Sequence, residues 1–202
     1  MKRKVLLFPI WFVAFLFGYV FLSFASDVPS YDKLCRAIKP PSGWSVIDKC
    51  SGINVQGTQM GSGVMVSEKL KKDGHEFEIV VVGGFQASAQ WMNFGNIRYA
   101  GNDKGFLKKV NIRGKDAVLV YEKKDRNGSV VVCLKEQGPM CIAIFALTFE
   151  GLSPSEAVEC AREFDLSGVS DLFKNMSLQF GAQPGGPASM YPPVGSGIPG
   201  SN

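Results

Sequence analysis

Two dense apolar runs, Ser129 to Leu134 and Met140 to Phe149, are separated only by Lys135-Glu136-Gln137-Gly138-Pro139 and constrain this chain more than any other feature. A third run, Ala117 to Tyr121, precedes them. Val130, Val131, Val132, Ile142, Ile144 and Phe145 are β-branched or aromatic, side chains that fit a pleated and packed surface. The runs are short and bounded by the turn signals Asn127-Gly128 and Gly138-Pro139, so they predict a β-hairpin. Apolar residues occupy both alternating faces. That pattern requires cover on each side and puts the hairpin inside a sheet, away from its edges.

The register of this hairpin decides a chemical question. A three-residue loop, Glu136 to Gly138, with Gly138 in the left-handed region, sets Cys133 opposite Cys141 and within reach of a cross-strand disulfide. A four-residue loop through Pro139 sets Cys133 opposite Ile142 instead. Whether thiols become disulfides also depends on the compartment, and the N-terminus bears on that. Lys2, Arg3 and Lys4 precede Val5 to Phe24, which is apolar almost throughout and ends in Ser23-Phe24-Ala25, a small-x-small pattern before a cleavage point. The run is also just long enough to span a bilayer. Residues 1–25 therefore read as a signal peptide or an uncleaved N-terminal membrane anchor. In both cases the positive end stays in the cytoplasm and the rest is exported, to the periplasm or the exterior. Five cysteines in such a chain allow two bridges and one thiol left over. Cys35 with Cys50 and Cys133 with Cys141 are the expected pairs, and Cys160 is the unpaired one.

Residues 26–180 suit one extracytoplasmic domain. The formal charge of +4 falls to a near balance, 19 basic against 18 acidic residues, once Lys2, Arg3 and Lys4 are set aside. Such a body has no electrostatic footprint for nucleic acid, and it meets a membrane only through the N-terminal segment. Residues 181–202 hold six glycines, five prolines and no charged residue, a composition that reads as a disordered tail.

In chain order, Ser30 is placed to cap a helix with the stripe Tyr31, Leu34, Cys35 and Ile38, stopped by Lys39-Pro40-Pro41-Ser42-Gly43. Trp44 to Ile47 begins a strand, Gly57 to Gly63 reads as a turn-rich connection, and Val64 to Leu70 and Glu76 to Val82 read as strands. Gly83-Gly84 ends the latter. Phe85 to Phe94 carries a broad helical stripe, with Phe85, Ala89 and Met92 on one side and Ala87, Trp91 and Phe94 nearby. Ile97 to Ala100, Phe106 to Ile112 and Ala117 to Lys123 follow as strands. After the hairpin, Ser153-Pro154-Ser155-Glu156 combines a capping-box serine, proline at the first helical position and glutamate three residues after the cap. It predicts a helix to Phe164 with Ala157, Cys160, Ala161 and Phe164 facing inward, which directs Cys160 to the core. Leu166 to Leu178 predicts a second helix through Val169, Leu172, Phe173 and Met176. The fold class is α+β: a single domain with a mainly antiparallel sheet and flanking helices, an α/β sandwich.

The order of features from Gly43-Trp44 through Glu78-Ile79-Val80-Val81-Val82-Gly83-Gly84, Gly114-Lys115-Asp116-Ala117 and Gly151-Leu152-Ser153-Pro154-Ser155-Glu156-Ala157 to Phe164-Asp165 resembles small exported bacterial domains of the PsbP-like α/β sandwich type. The resemblance covers most of Trp44 to Phe173 and is one of layout. It implies a sheet flanked by helices and an accessory or assembly role beside a membrane complex. It carries no functional residue over to this chain.

No reaction announces itself. The single histidine, His75, lies in a polar turn, and no Gly-x-Ser-x-Gly elbow exists to pair with it. The cysteines are too widely spaced for a zinc knuckle and include no Cys-x-x-Cys, and no cofactor motif is present. Glu76 and Glu78 share one strand face as a carboxylate pair, which more simply reads as a solvated face. Gly61-Ser62-Gly63 and Gly83-Gly84 are too short for a phosphate loop and read as turns. Trp44, Trp91 and Phe94 read as core aromatics before pocket linings. Asn127-Gly128-Ser129 and Asn175-Met176-Ser177 match the glycosylation acceptor pattern, although Asn127-Gly128 is simply explained as a turn. These features favour a non-enzymatic, exported or membrane-anchored binding or accessory domain, with an envelope protein or a small apolar ligand as partner. A hydrolytic or thiol enzyme whose site assembles only in three dimensions and a surface-filament subunit are the alternatives.

Overall fold

A computed structural model describes residues 23–26, 28–58, 61–93 and 97–180. The apolar segment over residues 5–22, the tail over residues 181–202 and Phe94 lie outside them. Among the described residues no helix is long and apolar enough to cross a membrane.

In chain order the strands are β1 (Ser23–Ser26), β2 (Ser45–Thr58), β3 (Gly61–Lys72), β4 (His75–Gly84), β5 (Tyr99–Gly101), β6 (Gly105–Ile112), β7 (Lys115–Glu122), β8 (Asn127–Gln137), β9 (Met140–Glu150) and β10 (Ser177–Phe180). The helices are α1 (Tyr31–Ala37), α2 (Phe85–Met92), α3 (Pro154–Glu163) and α4 (Ser167–Leu172). Eight strands form one antiparallel sheet in the order β2-β3-β4-β9-β8-β7-β6-β5, and β1 pairs with β10 in a separate ribbon. Two meanders, β2 to β4 and β5 to β9, thus meet where β9 joins β4. The predicted hairpin, β8 and β9, occupies the two central positions.

Both faces of that hairpin are covered, as its sequence requires. On one, Val66, Ile79, Leu147, Val130 and Leu119 pack against Leu34 of α1, Ala157 and Ala161 of α3, Phe164, Val169 of α4 and Phe173 just after it. On the other, Val82, Val118, Val131 and Ile144 pack under Ala87 and Trp91 of α2. The second layer is smaller, because α2 is the one helix on that side among the described residues. Strands dominate this α+β architecture.

The capping box forms as predicted. Ser153 Oγ accepts from the Glu156 amide at 3.4 Å and Glu156 Oε2 accepts from the Ser153 amide at 2.7 Å. Other local expectations are corrected. The turn between β8 and β9 is Gly138-Pro139, two residues, with Gln137 paired to Met140 and Gly138 at φ +60. Neither the three-residue nor the four-residue loop occurs. The ladder then sets Cys133 opposite Ile144 and Glu136 opposite Cys141, so in a regular hairpin the cysteines would be about 10 Å apart along the strand. Register shifts on either side of Lys135 kink the pairing, and the Cys133 and Cys141 Cα atoms approach to 5.8 Å in a disulfide under α2. The Cys35–Cys50 disulfide, Cα–Cα 5.5 Å, joins α1 to β2.

The turn-rich connection expected over Gly57 to Gly63 is mostly strand, since β2 runs to Thr58 and β3 begins at Gly61. Its glycines answer to packing. Gly63 pairs with Gly84, and a Cβ on Gly63 would meet Gln86 Oε1 at 2.6 Å. Gly83 is likewise no turn residue; a Cβ there would stand 2.4 Å from the Phe173 ring. The face of α2 is set by Ala87, Ser88 and Trp91, while Met92 is 62% exposed. The second C-terminal helix stops at Leu172, well short of Leu178. Leu178 is extended because the Gln137 side-chain amide takes both of its backbone groups, accepting from its N–H at 2.8 Å and donating to its carbonyl at 3.0 Å. Asn127 also differs from expectation: it starts β8 after a turn at Lys123 to Arg126 and is buried, which removes it as a glycosylation acceptor, whereas Asn175 is exposed in a turn.

Gly83→Ala should destabilise the domain by about 1–3 kcal/mol in chemical denaturation through overpacking against Phe173. Combining it with Phe173→Leu should recover part of the loss relative to Phe173→Leu alone, and strictly additive losses would contradict the close approach.

Candidate functional site

Three polar centres lie on or under the sheet. The first joins the β3–β4 end to α3. Trp44 packs against Phe77 and Phe164, with ring centroids at 4.6 and 5.0 Å, and its Nε1 donates to Glu163 Oε2 at 2.7 Å. Lys72 Nζ bonds the other carboxylate oxygen of Glu163 and lies 5.4 Å over the Trp44 ring, within cation–π range. Burial pushes the Glu163 carboxyl up, but the bonds from Lys72 and Trp44 outweigh it and hold the group below its ordinary range. Its bond to Glu163 raises Lys72 in turn. Cys160 sits one helical turn before Glu163, half-buried, and burial raises its thiol above the ordinary value despite the nearby Lys72. A raised thiol is a poor nucleophile, so this centre is a structural clasp with a sluggish cysteine beside it.

The second centre is a depression of about 400 Å³ between the Arg113-Gly114 turn and α4, walled by Arg113, Lys115, Asp165, Ser167, Ser170 and Asp171. Lys115 Nζ donates to Ser170 Oγ at 3.0 Å, and Ser170 Oγ donates to the Leu134 carbonyl at 2.7 Å. A serine nucleophile must give its proton to the base. Here the hydroxyl proton goes to a carbonyl and the lysine is the donor, so the pair ties β7, α4 and β8 together. Arg113 is similarly committed, its Nε donating to the Arg162 carbonyl at 2.6 Å. Asp165 is lowered by its bonds from Ser167, with Arg113 and Lys39 adding to the effect. Two cations thus face two carboxylates in a shallow, charge-balanced hollow.

The third is Glu68, 8% exposed, in the core layer below α1. The irregular pairing of β2 between Asp48 and Ser51 leaves the Cys50 amide to bond the Glu68 carboxylate, while Oε2 has no partner among the described residues. Burial raises this carboxyl above its ordinary value, only partly offset by the Cys50 amide.

The residues singled out in the sequence are dispersed. Glu76 and Glu78 lie on the solvated part of the sheet, on the face away from α3, and His75 Nδ1 faces the Glu150 carbonyl at 3.3 Å. Cys160 is on α3, over the face opposite Glu76 and Glu78, so the carboxylate pair and the thiol do not share a cleft. Trp44 and Trp91 are buried in the two core layers. No three His, Cys, Asp or Glu side chains among the described residues stand together as a metal site would need. The Trp44-Lys72-Glu163 clasp escaped the sequence because its members are 91 and 119 positions apart. Both expected bridges are present, Cys133–Cys141 by way of the kink in the β8–β9 pairing and not by the three-residue loop, and closed disulfides point to an oxidising compartment. Comparison with family models, curated proteins and solved structures finds no match to this chain.

Two stability measurements follow from these centres. A depressed Glu163 contributes stability above its unfolded pKa near 4.5 that is lost as pH falls through the folded value. Glu163→Gln should cost about 1–2 kcal/mol near pH 7 after solvent screening, with the difference from the parent vanishing on acidification; an undiminished difference at low pH would refute the sign. Glu68 has the opposite sign: its raised pKa makes the folded state hold the proton more tightly, so its contribution declines as pH rises from about 4.5. Glu68→Gln should therefore raise the melting temperature at pH 7 more than at pH 4, and an equal shift at both would contradict the burial.

Proposed function

We propose that this chain is a non-enzymatic accessory domain of the cell envelope, exported or held at the membrane by its N-terminal segment, that works by binding an envelope protein or a small apolar ligand. The observation that carries this reading is the pair of disulfides, Cys35–Cys50 and Cys133–Cys141, in a chain that opens with a basic cluster and an apolar run. Cytosolic thiols are kept reduced, so two structural bridges belong with export. The dispersal of His75, Glu76, Glu78 and Cys160 supports binding over a hydrolytic or thiol mechanism. The strand-dominant sheet with helices on both faces is in keeping with the PsbP-like layout and its accessory role, an analogy at the level of fold.

The test is made on native protein from fractionated cells. Denaturation and alkylation without reductant should add one label per chain, on Cys160, and reduction beforehand should add five. Cross-linking in the envelope fraction, followed by size exclusion, should recover one recurrent envelope partner or a bound apolar compound. Five reactive thiols in a cytoplasmic fraction, or a species that carries no partner or ligand under any condition, would overturn the proposal.

A further inference from the structure

The sheet has two edges of very different kind. One is β5, three residues long; the other is β2, fourteen residues from Ser45 to Thr58, whose outer side pairs with no described strand. Unpaired edges are templates for further strands, and proteins cover or blunt them. Large exposed apolar side chains collect at this edge. Val46, Ile47 and Ile53 on β2 are 46, 45 and 54% exposed, and Met65, the β3 partner of Ile53, is 45% exposed. Tyr31, 37% exposed, lies against Gly52 on the other face of this edge. An apolar concentration beside free backbone groups marks an interaction surface.

The charges on this edge select the occupant. Along all of β2 there are only two charged residues, Asp48 and Lys49, adjacent and exposed. We propose that two copies of this chain associate through β2, antiparallel about a two-fold axis between Asp48 and Lys49. Each Asp48 then lies opposite the other copy's Lys49, twice over. A shift of one residue either way sets Asp48 against Asp48 or Lys49 against Lys49, and like charges directly opposite are destabilising. The same register lays Val46 and Ile47 of one copy opposite Ser51 and Cys50 of the other. The existing Asp48–Lys69 bridge, 3.7 Å long between side chains 66 and 55% exposed, is weak and does not compete.

Closure follows from the mismatch of the edges. A β2-to-β5 contact would join fourteen residues to three, whereas a β2-to-β2 contact uses the same surface on both copies and stops at two. The register shifts between Val46 and Asp48 and between Asp48 and Ser51 fall at the axis itself and bend the strand there, which keeps the contact short and discourages open-ended growth.

Sedimentation and light scattering of the native chain across a concentration series, with iodoacetamide present so that no intermolecular disulfide contributes, will test this. The parent should dimerise. Lys49→Asp and Asp48→Lys should each weaken the dimer by about tenfold or more, and the double exchange D48K/K49D, which restores opposite charges across the axis, should return it to near the parent value. Both positions are exposed on an edge, so folding is unaffected and circular dichroism verifies it. A parent that stays monomeric at every concentration, a dimer indifferent to the single changes, or a double exchange no better than the singles would each overturn the proposal.

Discussion

The β8–β9 ladder at the centre of the sheet is the constraint on which the other elements depend. Its strands are apolar on both faces, so neither face can be left to water, and the domain is built as layers on either side of it. Where three helices supply cover the layer is thick; where α2 alone supplies it the sheet is dry only near Val82, Val118 and Ile144 and becomes polar toward Glu76 and Glu150. The disulfide of this hairpin stands on the thinner side, with Ser88 of α2 donating to the Cys141 carbonyl at 3.1 Å. A covalent cross-link and a buried hydrogen bond thus reinforce the layer that has the least apolar area to hold it.

Close approach between layers explains features that would otherwise look like loop chemistry. Gly83 admits the Phe173 ring and Gly63 admits the Gln86 amide. These glycines are strand residues chosen for what crosses them. The polar clasp of Trp44, Lys72 and Glu163 fastens the β3–β4 end to α3 in a complementary way, by charge and hydrogen bonding at a margin that the apolar core does not reach.

What could be read in the sequence was whatever is local. The β-branched runs named the central hairpin, Ser153 to Glu156 named the start of α3, and Cys35, Cys50, Cys133 and Cys141 named the bridges. What could not be read was whatever is decided across the sheet. The middle of β2, Asp48 to Asn54, has a loop-like composition and becomes a strand because β3 offers it a partner. Leu166 to Leu178 has helical spacing throughout, yet its end is drawn straight by Gln137, 41 positions earlier. The kink that brings Cys133 to Cys141 leaves no trace in residue spacing. The hollow between Arg113 and α4 was equally hidden, since Lys115 and Ser170 meet only after the sheet and α4 have packed.

The ribbon of β1 and β10 brings the two described ends of the domain together. Ser23 pairs with Phe180 and Ser26 with Ser177, so the strand that enters the domain and the strand that leaves it run side by side in opposite directions. Ser23 and Phe180 therefore lie about one strand spacing apart. A force or a steric constraint applied at Ser23 is thus shared at once by Phe180, because the ribbon ties the two described ends of the domain to each other.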